Sequence, residues 1–295
     1  MVKNLCKTIL LFFCLSQGLI ATAQPLQKDK TKKLVAHSSL LGLCVSTPIV
    51  LQSVWYDKAA SFHIVNDGDS WLGMDKTGHA FSAYHIQKQA QHLYIWANYS
   101  HNKSILYSAG ISILFQSSFE VLDGFQKKYG FSWPDMYANV SGIALFSAQQ
   151  FLWKEERIRL KFSYSPSPYA KLRPEVLGQN FQERLLKDYN GQSYWLSFSP
   201  FQLFNSSLHF PKWIQLSLGY SVNEKVKGSE NYFSTTTQEY HAYSQFLFSL
   251  DFDFSQMNIR NKSLKKVLSI FNTLKIPFPA LSFSQNQIHF HPLYF

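Results

Sequence analysis

The chain of 295 residues is 46% hydrophobic, 17% aromatic and 16% charged, a balance that excludes intrinsic disorder and gives enough length to bury one or two cores. A mean hydropathy of -0.14 excludes a bundle made wholly of transmembrane helices, which needs repeated runs of about 20 apolar residues. With 28 Lys and Arg against 18 Asp and Glu the formal charge is +10, which favours anionic partners such as lipid headgroups, lipopolysaccharide phosphates or nucleic acid, without choosing among them.

At the N-terminus, Lys3 and Lys7 precede the apolar run Ile9-Leu10-Leu11-Phe12-Phe13-Cys14-Leu15, and Ala21-Thr22-Ala23 follows as a small-x-small cleavage pattern. The expectation is a signal peptide over residues 1–23, cut before Gln24. A membrane anchor is the other reading, but the run is short and contains Gln17 and Gly18. Cleavage removes two lysines and no acid, which lowers the formal charge by two, to +8, and it removes Cys6 and Cys14. Cys44 would then be the one cysteine left, so no intrachain disulfide is expected in an oxidising envelope. An exported basic protein meets little nucleic acid, so no nucleic-acid partner is expected. A membrane lipid or envelope glycan is the expected partner, with a protein partner also open. The expected address is the cell envelope, periplasm or outer membrane.

From Gln24 to Lys33 the chain carries Lys28, Lys30, Lys32 and Lys33 and reads as a basic lead-in, with ordered structure starting after it. Ser38 to Tyr56 is mostly apolar, interrupted by Pro48, and suits a buried or a membrane-inserted helix. Three further helices are expected at about Asp75 to Trp96, Asn102 to Asp123 and Pro134 to Trp153. Asp67-Gly68-Asp69-Ser70 and Tyr129-Gly130-Phe131-Ser132 supply the breaks.

Beyond Glu156 the period changes to two. Arg157 to Tyr164 alternates polar and apolar almost without a break, the alternation returns over Ile214 to Val222, and it returns over Gln245 to Phe254 with Leu247 among the polar positions, the pattern of strands with one wet face. Tyr194 to Phe198 and Ile288 to Phe290 read as further strands, Asn190-Gly191 as a turn before one of them, and Lys262 to Thr273 as a short basic helix. Aromatic-faced strands ending in Phe295 match outer-membrane β-barrel segments. The opposing reading is a periplasmic antiparallel sheet whose apolar face packs on the helical half. Few legible strands, 13 glycines and Pro292 argue for the latter, and the terminal Phe295 for the former. The expected class is α+β: a bundle of about four helices over 24–155, then an antiparallel, barrel-like β half over 156–295.

The helical half carries the unusual polar residues. Asp75 and His79 are four apart and share a helix face; Glu120 and Asp123 are three apart; Asp135 and Asn139 are four apart. If these edges converge, Asp75, His79, Glu120, Asp123 and Asp135 make an oxygen-rich site with one imidazole, suited to a divalent metal ion, with Asn139 as a further catalytic candidate. Each residue also has an ordinary reading: Asp75 as a helix cap, Ser132 and Asp135 as a capping box, Asp123-Gly124 as a helix end, His79 as a core histidine. Capping does not explain why Glu120 and Asn139 interrupt apolar faces, and buried carboxylates cost several kcal/mol unless paired, protonated or metal-bound, about the scale of a buried charge left uncompensated.

Asp75-Lys76-x-Gly78-His79, Glu120-x-x-Asp123-Gly124-Phe125 and Tyr129-Gly130-Phe131-Ser132-Trp133-Pro134-Asp135-x-x-x-Asn139-x-x-Gly142 together resemble an uncharacterised bacterial family of predicted periplasmic lipoproteins with a domain of unknown function. Their order is also similar to that of VanZ-like proteins, over about Asp75 to Trp153. The resemblance implies a small membrane-associated helical unit and brings no known reaction. The chain departs from it in lacking a clear lipobox around Cys14 or Cys44.

Gly-x-Ser-x-Gly, Walker A, His-Glu-x-x-His and Cys-x-x-Cys patterns are absent. Two functions remain: an envelope protein, outer-membrane associated, that binds an envelope component or partner; or a metal-assisted hydrolase or transferase acting on an anionic envelope lipid or glycan, with one of the acids as general base.

Overall fold

The computed structural model describes residues 29–55, 59–203 and 211–295. The signal segment 1–23, the cleavage before Gln24, the first part of the basic lead-in and Tyr56 lie outside the described residues. The chain is α+β, a helical half followed by an antiparallel sheet. It divides into two units, one made of residues up to Asp67 with Ser82–Lys154 and the other of Gly68–Phe81 with Glu155–Phe295.

In the first unit the elements are α1 (Asp29–Trp55), β1 (Ile64–Val65), most of α2 (Met74–Trp96), α3 (His101–Gly124), β2 (Phe131–Ser132) and α4 (Trp133–Leu152). Helix α1 corrects the expected lead-in, because it begins at Asp29 and already includes Lys30, Lys32 and Lys33. The physical reason is that two of these lysines find aromatic partners: Lys32 Nζ lies 5.6 Å from the Trp96 ring and Lys33 Nζ 5.2 Å from Tyr99, where ring faces attract the ammonium and the stems cover apolar surface. The core is built from Ala36, Leu40, Cys44, Ala90, Tyr94, Ala97 and Ile111.

Beside this apolar core the unit buries many polar side chains and exposes large apolar ones. Ser104, Ser108, Ser112, Gln116 and Glu120 recur every fourth residue along α3 and are all buried, while Leu106, Leu114 and Val121 of the same helix are exposed. Leu34, Val45 and Ile49 of α1 and Tyr137, Val140 and Leu152 of α4 are exposed too. The buried polar groups bond to one another and to backbone: Gln87 Nε2 donates to Ser147 Oγ at 2.7 Å, Gln91 Nε2 to Gln150 Oε1 at 3.3 Å and Ser112 Oγ to the Ala83 carbonyl at 2.8 Å. Among the described residues two helices are long and apolar enough to cross a membrane, Asp29–Val50 of α1 and His101–Gly124.

The second unit is a six-stranded antiparallel sheet. Its strands are β3 (Ile158–Tyr164), β4 (Gln192–Phe198), β5 (Ile214–Asn223), β8 (Tyr243–Phe252), β9 (Phe278–Ser284) and β10 (Gln287–Tyr294), in the order β10-β9-β8-β5-β4-β3. A separate hairpin of β6 (Tyr232–Ser234) and β7 (Glu239–His241) precedes β8, and α5 (Lys262–Ile270) connects β8 to β9. Strand β9 has no counterpart in the sequence reading, and it contains Pro279, a residue disfavoured inside a strand. The register shows how it is tolerated. Between the pairs His291↔Ala280 and Tyr294↔Phe278 two residues of β10 oppose one of β9, so Pro279 and Pro292 both fall in a bulge, where ladder donors are not required.

Alternation determines the two faces. Lys161, Trp195, Ser197, Ser217, Gly219, Ser249, Asp251, Ala280 and Ser282 point to the buried face, while Leu218, Phe246, Phe248, Leu250, Leu281, Phe283, Ile288 and Phe290 are exposed. The sheet curls around its polar face: the Tyr294 hydroxyl of β10 reaches Ser193 Oγ on β4 at 3.3 Å, although three strands separate them in the order, at about 4.8 Å per step. Leu274 bridges to Phe162 at the β3 edge, and Lys275 N–H donates to the Phe162 carbonyl at 2.9 Å. Gly219 permits a close step inside the curl, since a Cβ there would meet Cε3 of the fully buried Trp195 at 2.6 Å.

Candidate functional site

Asp75 and His79 are positioned by a strained turn. Just before α2, Trp71 and Leu72 both adopt the left-handed conformation, φ 54 and 52, and Gly73 follows at φ 78. For the two non-glycine residues this costs about 1–2 kcal/mol each. The second unit holds the turn in place: Trp71 N–H donates to the Gly228 carbonyl at 2.8 Å, the Tyr220 hydroxyl donates to the Leu72 carbonyl, and the Trp71 indole lies 4.9 Å from the Tyr189 ring. Backbone strain over-determined in this way marks a position the fold is built to fix.

The fixed object is the Asp75 carboxylate in the first turn of α2. Tyr189 Oη donates to Oδ1 at 2.9 Å, Lys76 Nζ donates to Oδ2 at 3.0 Å, and His79 Nε2 lies 3.9 Å from Oδ1, one helical turn on. Burial alone would raise this carboxyl, but the His79 and Lys76 charges and the hydrogen bonds from Lys76 and Tyr189 outweigh it and hold it below the usual carboxylate range. Asp75 is therefore not a simple cap but an ionised group with a basic partner on each side. Gly78, between Lys76 and His79, faces Tyr194, whose hydroxyl a Cβ would approach to 3.0 Å.

The other four candidates fall in the first unit. Glu120 is buried near the end of α3, and its Oε2 accepts from Ser132 N–H at 3.4 Å. Ser132 caps α4: its Oγ accepts from Asp135 N–H at 3.1 Å and donates to Asp67 Oδ1. Asp135 is buried one turn before the fully buried Asn139, so both interrupt the inner face of α4. Asp123 is partly exposed, and its carbonyl accepts from Gln126 N–H at 2.9 Å where the helix ends at Gly124. A side chain at Gly124 would overlap the Phe62 ring, which also packs against Phe125 at 5.2 Å and Phe131 at 5.9 Å. Strand β1 pairs in parallel with β2, Val65 opposite Ser132, so α3, β1–β2 and α4 are knotted together around Glu120, Ser132 and Asp135.

Sequence reasoning did not single out Tyr189, Ser132 as a ligand of two acids, or the α3 stripe. The stripe carried a readable signal, four-residue spacing of Ser104, Ser108, Ser112, Gln116 and Glu120. Tyr189 lies far along the chain and carried none.

Residues 65–150 match the model of a family of predicted periplasmic lipoproteins, DUF2279. The match runs from β1 to the end of α4 and includes Asp75, His79, Glu120, Asp123, Asp135 and Asn139, the residues on which the sequence resemblance to such a family rests. No curated protein and no solved structure matches this chain. The family description agrees with the envelope address and names no reaction.

Proposed function

We propose that this is an exported cell-envelope protein that seats in the outer membrane through the apolar outer face of its β half, while its helical half binds an envelope lipid, glycan or protein partner. The observation that carries this reading is the inverted polarity of the sheet. Lys161, Asp251, Arg159, Asp253, Ser197 and Ser217 are buried inside the curl, and Phe246, Phe248, Leu281, Phe283, Ile288 and Phe290 face outward. Water favours the reverse arrangement. A lipid phase favours this one, because each exposed Phe or Leu gains about 1.5–3 kcal/mol on leaving water. Fractionation of cells after gentle lysis tests the reading. The protein is expected with outer-membrane vesicles and resistant to a high-salt wash; recovery in the soluble periplasm overturns it.

A second reading is favoured by Asp75 and His79. A carboxylate oxygen and an imidazole nitrogen 3.9 Å apart on one helix face suit a hard or borderline divalent cation, although Lys76 competes for the same carboxylate. An ion held there would polarise a phosphoryl or acyl oxygen of an anionic envelope substrate. Elemental analysis of the purified protein beside His79→Ala tests this. About one equivalent of metal, lost in a folded variant, supports it; metal-free protein in both cases removes it.

A further inference from the structure

Helix α5 is amphipathic and leaves its apolar side uncovered. Leu264, Val267, Leu268 and Phe271 follow the spacing i, i+3, i+4, i+7, and Leu264, Val267 and Phe271 of this stripe are exposed, as is Leu274 just beyond the helix. Lys262, Lys265 and Lys266 occupy the opposite side. The helix is firmly attached. Asn261 Oδ1 accepts from the Ser263 and Leu264 N–H groups, both at 3.0 Å, and the chain just after α5 is tied to the end of β8 by Asn272, which donates to Asp253 Oδ1 at 2.8 Å and accepts from Phe254 N–H at 2.9 Å. A short polar loop would connect β8 to β9 with less exposed apolar surface, so a solvent-facing apolar stripe held in place calls for something to cover it.

Charge says what that is. Residues 254–295 contain no Asp or Glu, and they carry Arg260, Lys262, Lys265, Lys266 and Lys275. Arg260, Lys262 and Lys266 are exposed, as is Lys212 just before β5. The register places Ile214 of β5 opposite Phe252 of β8, so Lys212 belongs to the same rim of the sheet as α5. Trp213 stands there too, its ring 5.8 Å from Phe252. A basic rim with an aromatic residue at the edge of an apolar outer face is the arrangement of a membrane interface.

We propose that α5 lies in the interfacial layer of a phosphate-bearing lipid surface, its Leu264–Val267–Phe271 stripe among the upper acyl carbons and Lys262, Lys265 and Lys266, with Arg260 and Lys212, on the headgroup phosphates. This rests on the membrane reading of the β half and deepens it: it fixes which rim of the sheet meets an anionic leaflet.

The test uses the full-length protein carrying Val267→Cys with Cys6→Ser and Cys14→Ser, labelled briefly with an environment-sensitive fluorophore; the remaining Cys44 is buried. The protein is mixed with vesicles of phosphatidylcholine alone or with about a third phosphatidylglycerol. On the anionic vesicles the label is expected to shift to the blue and become shielded from an aqueous quencher. Lys262→Gln, Lys265→Gln and Lys266→Gln together should weaken this local docking roughly a hundredfold, at about fivefold for each lysine, without changing whether the protein floats. A label that stays quenchable on protein that floats with both vesicles overturns the helix proposal and leaves the sheet reading standing. Shielding only on anionic vesicles, released by salt, in protein that does not float with neutral ones supports the helix and overturns the sheet reading. A label shielded in a detergent-solubilised dimer without vesicles assigns the stripe to a second copy of the chain and overturns the proposal.

Discussion

Lys161 Nζ lies 2.8 Å from Asp251 Oδ2, both side chains fully buried, although β3 and β8 are separated in the sheet by β4 and β5. The pair therefore crosses the inside of the curl. Around it the Lys161 ammonium donates to the Phe252 carbonyl at 2.7 Å, Ser197 Oγ donates to Asp251 Oδ2 at 3.3 Å, and the Phe252 and Ile276 N–H groups donate to Asp251 Oδ1. Two further ion pairs, Arg159 with Asp253 and with Glu156, share one guanidinium in the same interior. These charges satisfy one another inside the curl.

Breaking one partner should leave a buried charge uncompensated. Lys161→Met is expected to lower unfolding stability in detergent by about 3–5 kcal/mol, and the double variant Lys161→Met/Asp251→Leu to recover part of that loss. Denaturant titration of the two variants checks it; a loss below about 1 kcal/mol for the single variant would show that the interior is wet enough to solvate the carboxylate.

Gly219 and Trp195 face each other across β4 and β5. Because a Cβ at 219 meets the indole at 2.6 Å and the indole is wedged among buried side chains, Gly219→Ala should cost about 1–3 kcal/mol through overpacking. The same substitution in a Trp195→Leu background should cost less, since the clashing ring is gone. Thermal melts of the four proteins close the cycle.

Lys275 supplies a pH dependence. Burial pushes its amine down to about 8; the Asp251 carboxylate opposes the shift and the Lys161 charge adds to it. The folded state therefore releases this proton at a lower pH than the unfolded chain, whose lysine titrates near about 10.4. Between those values the unfolded state binds more protons, so the Lys275 contribution to stability rises with pH from about 8 to about 10.4. The denaturation midpoint should increase across that window, and the increase should be smaller in Lys275→Met.

In the helical half, Ser132 is the cap of α4 and the link to Asp67 and Glu120. Ser132→Ala should cost about 1 kcal/mol and speed amide exchange at Asp135, whose N–H loses its acceptor. Unchanged exchange at Asp135 would show that another group has replaced the cap.

Much of the fold was legible. The 3.6-residue pattern located α2, α3 and α4 to within a residue or two, and the alternation of Arg157 to Tyr164, Ile214 to Val222 and Gln245 to Phe254 located β3, β5 and β8, because a periodicity is a local property of the chain. Strand β9 escaped, since Pro279 within it is acceptable only once β10 supplies a bulge opposite it. The start of α1 escaped because Lys32 and Lys33 gain their ring partners, Trp96 and Tyr99, from far along the chain. Asp75 and His79 were legible as a shared helix face, but Tyr189, which fixes the carboxylate, was not.

The sequence by itself determined that the sheet has one polar and one apolar face, that α3 bears a row of hydroxyls and amides, and that the chain from 254 onward is purely basic. Only the tertiary structure decided which face is inside. Alternation is symmetric, so Lys161 and Asp251 could equally have pointed to water; what places them in the interior is their mutual pairing across the curl, a contact between strands remote in sequence. That single choice turns Phe246, Phe248, Leu281 and Phe283 outward, because in a pleated strand one face cannot go in without the other going out.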